Sequence, residues 1–479
     1  MEHIDINIFN SWAKNHITDD SKFDKDGFII MENDKNFKST GIIAKILEDH
    51  WAKYYNKYKA VLDRKRPNAN KEVQKIINCS NHKLGATVYA CNDCGEVIFS
   101  HHTCKGRLCS SCGIKTQKIR TENILEKCIN VKHRHITFTI PDSLCHWFFD
   151  DLTTTNILFE AVSDTLYSVT NGNITKKKTR KYDLKYTPGF FAFLHTFGRP
   201  LNFNTHIHVI IAECVFDKNK SYKKYDYFNY NALSKRFMKL LLDKMEAYFG
   251  KVNFSKTKNM MYLKYKNGFY VNNKLEDDGY KFNSIEELIR YLTRYCSRPA
   301  MAETRIINYD GENVTFFYRD HKEEKYHEEK ISAFAFITRL LRHLLPTGFK
   351  SIRSYGFYNN SNKLCDDIKY IISKEKIKIK RELLKWKNLI LTSFNRIPII
   401  CPKCKQIMEP LFEVSWRSYC IWVLHYENLK KIKNQTFLWA LNLFALNVGI
   451  SNLFHKVHFK KWIMILLKTT LFFYAINVR

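Results

Sequence analysis

The sequence predicts an α+β fold, and three observations support this class. Strand-like and helix-like segments interleave irregularly between residues 114 and 360, unlike the regular alternation of a doubly wound sheet. No G-x-G-x-x-G loop joins a strand to a helix. The hydrophobic content of 45% is that of a globular chain, and 479 residues suffice for roughly two to four domains at about 100–200 residues each.

Composition divides the chain into segments of different predicted character. They are a helical N-terminal segment (1–75), a cysteine-rich zinc-binding domain (76–120), a central domain (121–360), a basic segment with a C-x-x-C motif (361–410) and an apolar tail to which no role is assigned (411–479).

Hydrophobic periodicity predicts the elements of the central domain. Strands are predicted at His133–Ile140, Phe190–Phe197, His206–Ala212, Met260–Tyr265 and Val314–Arg319. Helices are predicted at Leu233–Phe249, ended by Gly250, and at Ile331–Leu345, ended by Pro346.

The strong positive charge predicts a polyanionic partner. Lys and Arg number 78 against 47 Asp and Glu, which gives a net charge of +31. Nucleic-acid phosphates favour such a surface because each Lys or Arg contact releases condensed counterions. A merely basic globular protein is the alternative interpretation.

The sequence contains no recognisable targeting or membrane segment. The first residues, MEHIDINIFN, lack the basic and apolar regions of a secretory signal. The longest apolar run, near Trp462–Ile476, is interrupted by Lys468 and is shorter than the ~20 residues that span a bilayer. We therefore expect a cytoplasmic protein with no membrane partner.

Two C-x-x-C pairs predict a structural zinc ion. Cys91 and Cys94 form one pair, and Cys109 and Cys112 form the other, each followed directly by glycine. Four thiolates complete a tetrahedral shell, so such a zinc ion would stabilise the fold and leave no open position for catalysis. Redox-active or simply buried cysteines are the alternative.

The remaining candidate ligands of this segment suggest a second ion or alternative ligands. They are Cys79, Cys104, His82, His101 and His102. Arg107, with nearby Lys105, Lys115 and Lys118, is predicted to present a rigid basic surface to DNA.

A second candidate metal site lies in the strand that contains His206 and His208. Side chains alternate along a strand, so both imidazoles share one face while Ile207, Val209 and Ile211 share the other. Two neutral imidazoles can hold a divalent ion beside a phosphate. An H-x-H pattern alone is also compatible with an incidental pair.

A predicted amphipathic helix carries Tyr291 and Tyr295. Ser284 and Glu287 form a capping-box pattern at its start, and Pro299 closes its end. An apolar stripe follows one face, at Ile285, Leu288, Ile289, Leu292 and Cys296. The opposite face carries arginines, at Arg290, Arg294 and Arg298. Both tyrosines lie at the boundary, where a ring can be anchored while its hydroxyl reaches a phosphate; two half-buried packing tyrosines are the alternative.

The order of these motifs resembles the two-tyrosine HUH transposases of rolling-circle insertion sequences, the family numbered ninety-one. The likeness covers about residues 43–410 and includes the cysteine pairs, the strand HRHITFTI, the run LHTFGR from Leu194, the H-x-H strand and the Y-x-x-x-Y helix. The resemblance implies an HUH-type antiparallel sheet flanked by helices over 121–360, preceded by a small zinc-ribbon-like domain.

The resemblance also implies the chemistry. One of Tyr291 and Tyr295 would attack a DNA phosphate, form a 5′-phosphotyrosine and free a 3′-hydroxyl, with Mg²⁺ or Mn²⁺ held by His206 and His208 as cofactor. The partners would be single-stranded element ends and target DNA, contacted by Arg107, Arg290, Arg294 and Arg298, in a bacterial protein associated with the nucleoid when bound to DNA.

Two parts of the metal sites are left open by the sequence. A third ligand for the H-x-H site is not assigned, with His195 and Glu213 as candidates. Cys401-x-x-Cys404 resembles half a zinc site without an obvious second half.

Two alternative functions are kept. A rolling-circle replication initiator or relaxase would use the same chemistry on different DNA. A non-catalytic zinc-ribbon DNA-binding protein would bind DNA through the same motifs and form no covalent product.

Overall fold

The structure, a computed structural model, describes residues 22–23, 29–30, 41–94, 96–171, 185–272, 284–319, 325–359, 396–397 and 399–414. Its helices are α1 Ile42–Lys65, α2 Ala69–Ile77, α3 Ser110–Leu125, α4 Asp142–Phe149, α5 Asn156–Asn171, α6 Tyr230–Phe249, α7 Lys251–Lys264, α8 Ile285–Ser297 and α9 Ala333–Leu341. Its strands are β1 Lys22–Phe23, β2 Ile29–Ile30, β3 Ala86–Ala90, β4 Val97–His101, β5 His133–Thr139, β6 Tyr186–Phe197, β7 Phe203–Asp217, β8 Tyr222–Lys224, β9 Val271–Asn272, β10 Ile306–Tyr309, β11 Asn313–Arg319, β12 Tyr326–Ser332, β13 Ile352–Gly356, β14 Arg396–Ile397 and β15 Glu409–Val414.

The chain divides into two compact units. The first comprises the described residues within Ile30–Cys79 and Cys104–Pro398, and the second those within Lys22–Ile29, Ser80–Thr103 and from Ile399 onward. The predicted zinc-binding segment 76–120 is thus divided between both units, and the apolar tail from residue 415 lies outside the described residues.

The first unit is built around an antiparallel sheet with the strand order β13-β6-β7-β5-β9, to which β8 adds at the far end of β7. In the ladders, Thr137 of β5 and Phe193 of β6 both lie opposite His208 of β7. A smaller sheet, β10-β11-β12, belongs to the same unit. The mixture of helices and antiparallel sheets confirms the predicted α+β class.

The two faces of the central sheet have separate apolar cores. Ile207, Val209 and Ile211 belong to the core on one face, together with residues of α4, α5 and α6. Ile210 and Ala212 of the same strand belong to the core on the other face, together with residues of α3 and α8. Because side chains alternate along β7, His206 and His208 lie on this second face.

Most strand predictions agree with the structure, but the one at Met260–Tyr265 is wrong. Those residues, except Tyr265, form the last part of helix α7. Phe254 and Met261 are seven residues apart and are the buried residues of that helix, a helical rather than an alternating spacing. The local content of apolar residues is typical of a strand, but the buried positions follow the period of a helix.

The last predicted helix of the central domain begins later and ends earlier than the pattern suggested. Strand β12 continues through Ser332, whose hydroxyl then caps α9 by accepting a hydrogen bond from the Ala335 N–H at 3.3 Å. The helix ends at Leu341, ahead of the expected stop at Pro346.

The second unit contains a small antiparallel sheet with the order β15-β3-β4. Strand β15 lies beside β3 although more than 300 positions separate them in the sequence (Glu409 is opposite Ala90). None of the helices in the described part of the chain is long and apolar enough to span a bilayer.

Candidate metal centre and tyrosine helix

Three histidines converge on one point at the centre of the sheet. We call His195, His206 and His208 the histidine triad. His195 Nδ1 lies 3.1 Å from His206 Nε2, which lies 3.1 Å from His208 Nε2. His195 and His206 are direct ladder partners on β6 and β7, and alternation along β7 adds His208. The triad therefore results from strand register, and all three rings are buried.

The outer nitrogens of the β7 imidazoles are held by other groups. His206 Nδ1 lies 3.0 Å from the carbonyl oxygen of Asn204, so it is the N–H that donates and Nε2 carries the lone pair. His208 Nδ1 lies 2.9 Å from His135 Nε2 and 3.3 Å from the Thr137 hydroxyl. These contacts orient the inner nitrogens toward the centre of the triad, as ligand histidines require.

Burial keeps the imidazoles neutral at physiological pH. Desolvation lowers the pKa of His206 to about 4 and the pKa of His135 to about 3. Burial first, and then the charges of His206, Arg107 and His343, lower the pKa of His195 well below its ordinary value. The pKa of His208 is lowered in the same direction, also chiefly by burial. Neutral imidazole is the form that binds a metal ion.

The other candidate third ligand, Glu213, lies elsewhere. It occupies β7 on the face opposite to His206 and His208, where its carboxylate pairs with Arg134 at 2.8 Å. It lines a surface cavity of about 390 Å³ with Lys132 and Lys224. Of the two candidates, the structure brings only His195 to the histidine pair.

The tyrosine helix α8 packs on the sheet face that carries the histidine triad. Leu288, Ile289 and Leu292 belong to the same core as Phe193 and Ile210, which lie on that face. Tyr291 is partly buried and packs against this core. The backbone of Tyr295 belongs to α8, and its side chain lies outside the described residues. The predicted cap is present, since Ser284 Oγ accepts a hydrogen bond from the Glu287 N–H at 3.2 Å.

Helix α3 packs along α8 and fixes its position. The hydroxyls of Thr121 and Thr293 lie 2.6 Å apart, and both side chains are buried. Gly113 approaches Pro299 so closely that an added Cβ would lie 2.5 Å from the ring. Arg290, predicted to contact DNA, forms an ion pair with Glu122 of α3 at 3.1 Å while remaining half exposed.

Three further predicted DNA contacts have different surroundings. Arg294 and Arg298 are exposed on and just after α8. Arg107 is partly buried, and its charge contributes to lowering the pKa of both His195 and His343 after their burial. The positive charge of Arg107 therefore acts electrostatically on His195 of the histidine triad.

The cysteines form two clusters that differ from the predicted shell. The first quartet, Cys79, Cys104, Cys109 and Cys112, lies in the first unit, and its four sulfur atoms are all within 4.8 Å of one another. The second quartet, Cys91, Cys94, Cys401 and Cys404, lies in the second unit within the same distance limit.

The grouping of Cys91 and Cys94 with Cys109 and Cys112 is therefore wrong. Cys91 and Cys94 follow β3 in a hairpin whose neighbour in the sheet is β15, which follows Cys404. Cys109 instead precedes α3, beside the end of α2 where Cys79 lies. Spacing identified both pairs, but the partner of each is decided by sheet pairing and helix packing.

Backbone amides donate to two of the sulfurs of the first quartet. The N–H of Gly106 donates to Cys104 Sγ at 3.3 Å, and the N–H of Cys104 donates to Cys79 Sγ at 3.4 Å. Such donors favour the thiolate over the thiol, and the thiolate is the form that binds a metal ion. The four sulfurs and these amides fit a structural zinc ion.

Comparison with known proteins identifies the family. A family model described as "Putative transposase" matches residues 189–365, and one described as "Transposase zinc-binding domain" matches residues 46–140. The first match contains the histidine triad and α8, and the second contains the first quartet. The chain belongs to the IS91 family of transposases.

Two curated relatives support this membership. The transposase for insertion sequence element IS801 of Pseudomonas savastanoi pv. phaseolicola is 27% identical over 308 residues, which cover 61% of this chain and 70% of the relative. The "Putative transposase y4qJ" of Sinorhizobium fredii is 26% identical over 297 residues, which cover 59% and 72% respectively. No solved structure matches the chain. As a member of this family, the chain is a DNA-cleaving enzyme that acts on DNA and contains a zinc-binding domain.

The donor set of the triad fits a single metal ion. Ligand nitrogens about 2.0–2.1 Å from one ion, at angles of about 90–109°, would be about 2.8–3.4 Å apart. The observed separations of 3.1 Å lie in this range. Mg²⁺ takes oxygen ligands almost exclusively, whereas nitrogen donors favour first-row transition ions.

Sequence reasoning missed the contribution of His135. Its ring stacks on His208 with the planes at 20°, and its Nε2 faces His208 Nδ1. The signal was present in the strand HRHITFT, because alternation places His135 and Thr137 on one face. The sequence does not reveal that β5 pairs with β7 in the register that brings His135 and Thr137 next to His208.

Proposed function

We propose that this transposase nicks and rejoins single-stranded DNA through 5′-phosphotyrosine intermediates on Tyr291 and Tyr295, as in rolling-circle transposition. One observation carries the proposal: α8 packs on the sheet face that carries the histidine triad. A candidate cation site and the helix that carries both candidate nucleophiles thus share one face of one sheet. This is the arrangement that tyrosine attack on a metal-bound phosphate requires.

The cleavage step balances without a further reactant. A tyrosine Oη attacks the scissile phosphorus, the Oη–P bond forms, and the bond from phosphorus to the 3′ oxygen of the preceding nucleotide breaks. The tyrosine gives up its proton and the departing oxygen gains one, so the products are a 5′-phosphotyrosine and a free 3′-hydroxyl. A divalent cation in the triad would supply Lewis-acid polarisation of the phosphate.

The residues of the chain orient this reaction and permit its reversal. Asn204 holds the ring orientation of His206, and His135 holds that of His208. The charge of Arg107 acts on His195 of the triad, and this guanidinium is the candidate to pair with a phosphate oxygen there. A DNA 3′-hydroxyl that later attacks the phosphotyrosine restores the tyrosine, and the second tyrosine permits a second cleavage or strand transfer.

Exposed arginines provide a path for the strand. Arg294 and Arg298 lie beside the tyrosines in sequence and are exposed, so they can follow the phosphates on either side of the scissile bond. Arg290 pairs with Glu122 and so joins α8 to α3.

The test is adduct formation on a single strand that carries an element end. With a 3′-terminal label and Mn²⁺, the label should become covalently attached to the protein, because 5′-phosphotyrosine retains the downstream fragment. A 5′-terminal label should appear only on the released fragment. Tyr291→Phe/Tyr295→Phe should abolish the adduct. The matched control is Tyr248→Phe/Tyr262→Phe, two exposed helical tyrosines away from the triad, which should retain it.

The outcomes separate the alternatives. Adducts that persist in the Tyr291→Phe/Tyr295→Phe variant refute the assignment of the nucleophiles. Adducts that carry the 5′ label refute the 5′ linkage. Salt-dependent DNA binding without an adduct on any strand would identify a non-catalytic zinc-ribbon DNA-binding protein. Equal adduct formation on a plasmid origin and on element ends would favour the replication initiator.

A further inference from the structure

The second quartet joins two distant parts of the sequence, and its geometry resembles a metal shell. Cys91 Sγ lies 3.3 Å from Cys404 Sγ, and Cys94 Sγ lies 3.4 Å from Cys401 Sγ. These distances are far longer than the ~2.05 Å of a disulfide. They approach the separation of about 3.8 Å between thiolates on one tetrahedral zinc ion with Zn–S bonds of about 2.3 Å.

The two C-x-x-C motifs form matching turns. The N–H of Cys91 donates to the carbonyl oxygen of Glu96 at 2.8 Å, and the N–H of Cys401 donates to that of Gln406 at the same distance. Each turn thus closes five residues after its first cysteine. Because the same backbone arrangement occurs at two places so far apart in the chain, we infer that both turns have the same structural role.

A left-handed residue supports this equivalence. Lys405, directly after Cys404, has φ of +64°, and its N–H donates to the Cys401 carbonyl oxygen at 3.0 Å. Non-glycine residues rarely adopt such a φ value. The corresponding sequence position after Cys94 is Gly95, the residue type that adopts this conformation without strain. The turn therefore holds Lys405 in a conformation that a glycine adopts more easily than a lysine.

Each turn lies at the tip of a hairpin. The first connects β3 to β4, which pair from Ala90 opposite Val97. The second is closed by the bridge between Ile400 and Ile407 and leads directly into β15. Because β15 pairs with β3, the sheet brings both tips together. Cys91 and Cys401 are buried at this point, with exposed fractions of 1% and 0%.

We propose that Cys91, Cys94, Cys401 and Cys404 bind a second structural zinc ion, separate from that of the first quartet. The C-terminal C-x-x-C motif and β15 then complete a zinc ribbon that the β3–β4 hairpin begins. The segment that matches the zinc-binding family model ends at residue 140 and the one that matches the transposase model ends at residue 365, so Cys401 and Cys404 lie beyond both. The proposal does not depend on the tyrosine chemistry.

Metal content of the full chain tests the proposal. Protein purified without added metal and passed through a chelating resin should contain about two zinc ions per chain by elemental mass spectrometry. Cys401→Ser/Cys404→Ser should contain about one, and so should Cys79→Ser/Cys104→Ser. The control Cys128→Ser alters a cysteine outside both quartets and should retain two. One zinc in the unaltered chain, iron in place of zinc, or two zinc ions in Cys401→Ser/Cys404→Ser would overturn the proposal.

A second measurement on the unaltered protein covers the case in which a variant does not fold. Alkylation followed by peptide mass mapping should show Cys401 and Cys404 protected together with Cys91 and Cys94. A strong chelator should expose all four in one kinetic phase. Rapid alkylation of Cys401 and Cys404 while Cys91 and Cys94 remain protected would contradict a shared ion.

Discussion

The two cysteine quartets differ in how far apart their ligands lie in the sequence. All ligands of the first quartet fall between Cys79 and Cys112, whereas the second combines Cys91 and Cys94 with Cys401 and Cys404. The quartets interleave along the chain, yet each belongs to a different compact unit. The comparison shows that a C-x-x-C pair identifies half of a site, while the fold selects the other half.

The quartets also differ in what they support. The first lies at the start of α3, and α3 packs on the tyrosine helix α8 through Thr121 and Gly113. The second lies at the tips of two hairpins in the ribbon sheet. Because the histidine triad and α8 share a unit with the first quartet, catalysis should depend strongly on the first quartet and weakly on the second.

The largest effect is expected from removing ligands of the first quartet. Cys109→Ser/Cys112→Ser should lower covalent adduct formation by more than about 100-fold. Binding of a structural zinc ion contributes on the order of 10–16 kcal/mol in small zinc domains, which is comparable to the whole stability of a domain. Adduct yield and the thermal unfolding temperature measure the effect together.

The second quartet provides the control for that variant. Cys401→Ser/Cys404→Ser should retain adduct formation within about threefold on a short single strand, because the triad and α8 belong to the other unit. Equal losses of adduct formation in both variants would contradict the expectation that catalysis depends mainly on the first quartet.

A smaller but more specific effect is expected at Arg107. Arg107→Ala should lower the single-turnover rate of adduct formation by about 100-fold, the scale seen when one donor to a developing charge is removed. Arg107→Lys should recover part of the rate, because it restores the charge without the bidentate geometry. The unfolding temperature should change little.

A lysine that lies between two cysteines of the second quartet is the matched control. Lys403 lies between Cys401 and Cys404 and is largely exposed, pairing with Glu96 at 3.3 Å. Lys403→Ala should leave the rate within about twofold. A similar loss of rate in Arg107→Ala and Lys403→Ala would indicate general electrostatic attraction of DNA rather than a specific contact beside the triad.

The sequence predicted the parts of the site that depend on local geometry. His206 and His208 share a face because they are two residues apart in a strand, and Ser284 caps α8 because the first turn of the helix supplies its donor. His195 required the register of β6 against β7, and Cys401 required the pairing of β15 with β3. Both strand pairings join distant parts of the chain, and neither hydrophobic periodicity nor motif spacing predicts them.

The smallest effect is expected at the helix contact that links the first quartet to the tyrosines. Alanine is favoured over glycine in a helix by up to about 1 kcal/mol, so Gly113→Ala would stabilise an exposed helix. Here the added Cβ would lie 2.5 Å from Pro299, and overpacking typically costs about 1–3 kcal/mol. We therefore expect a net loss of about 1 kcal/mol in the free energy of unfolding, measured by urea denaturation. Ser111→Ala, in the same turn of α3, should change it by less than about 0.5 kcal/mol. A stabilised Gly113→Ala protein would mean that α3 does not pack on the end of α8 at this point, and the link from the first quartet to the tyrosines would have to run through Thr121 and Thr293 alone.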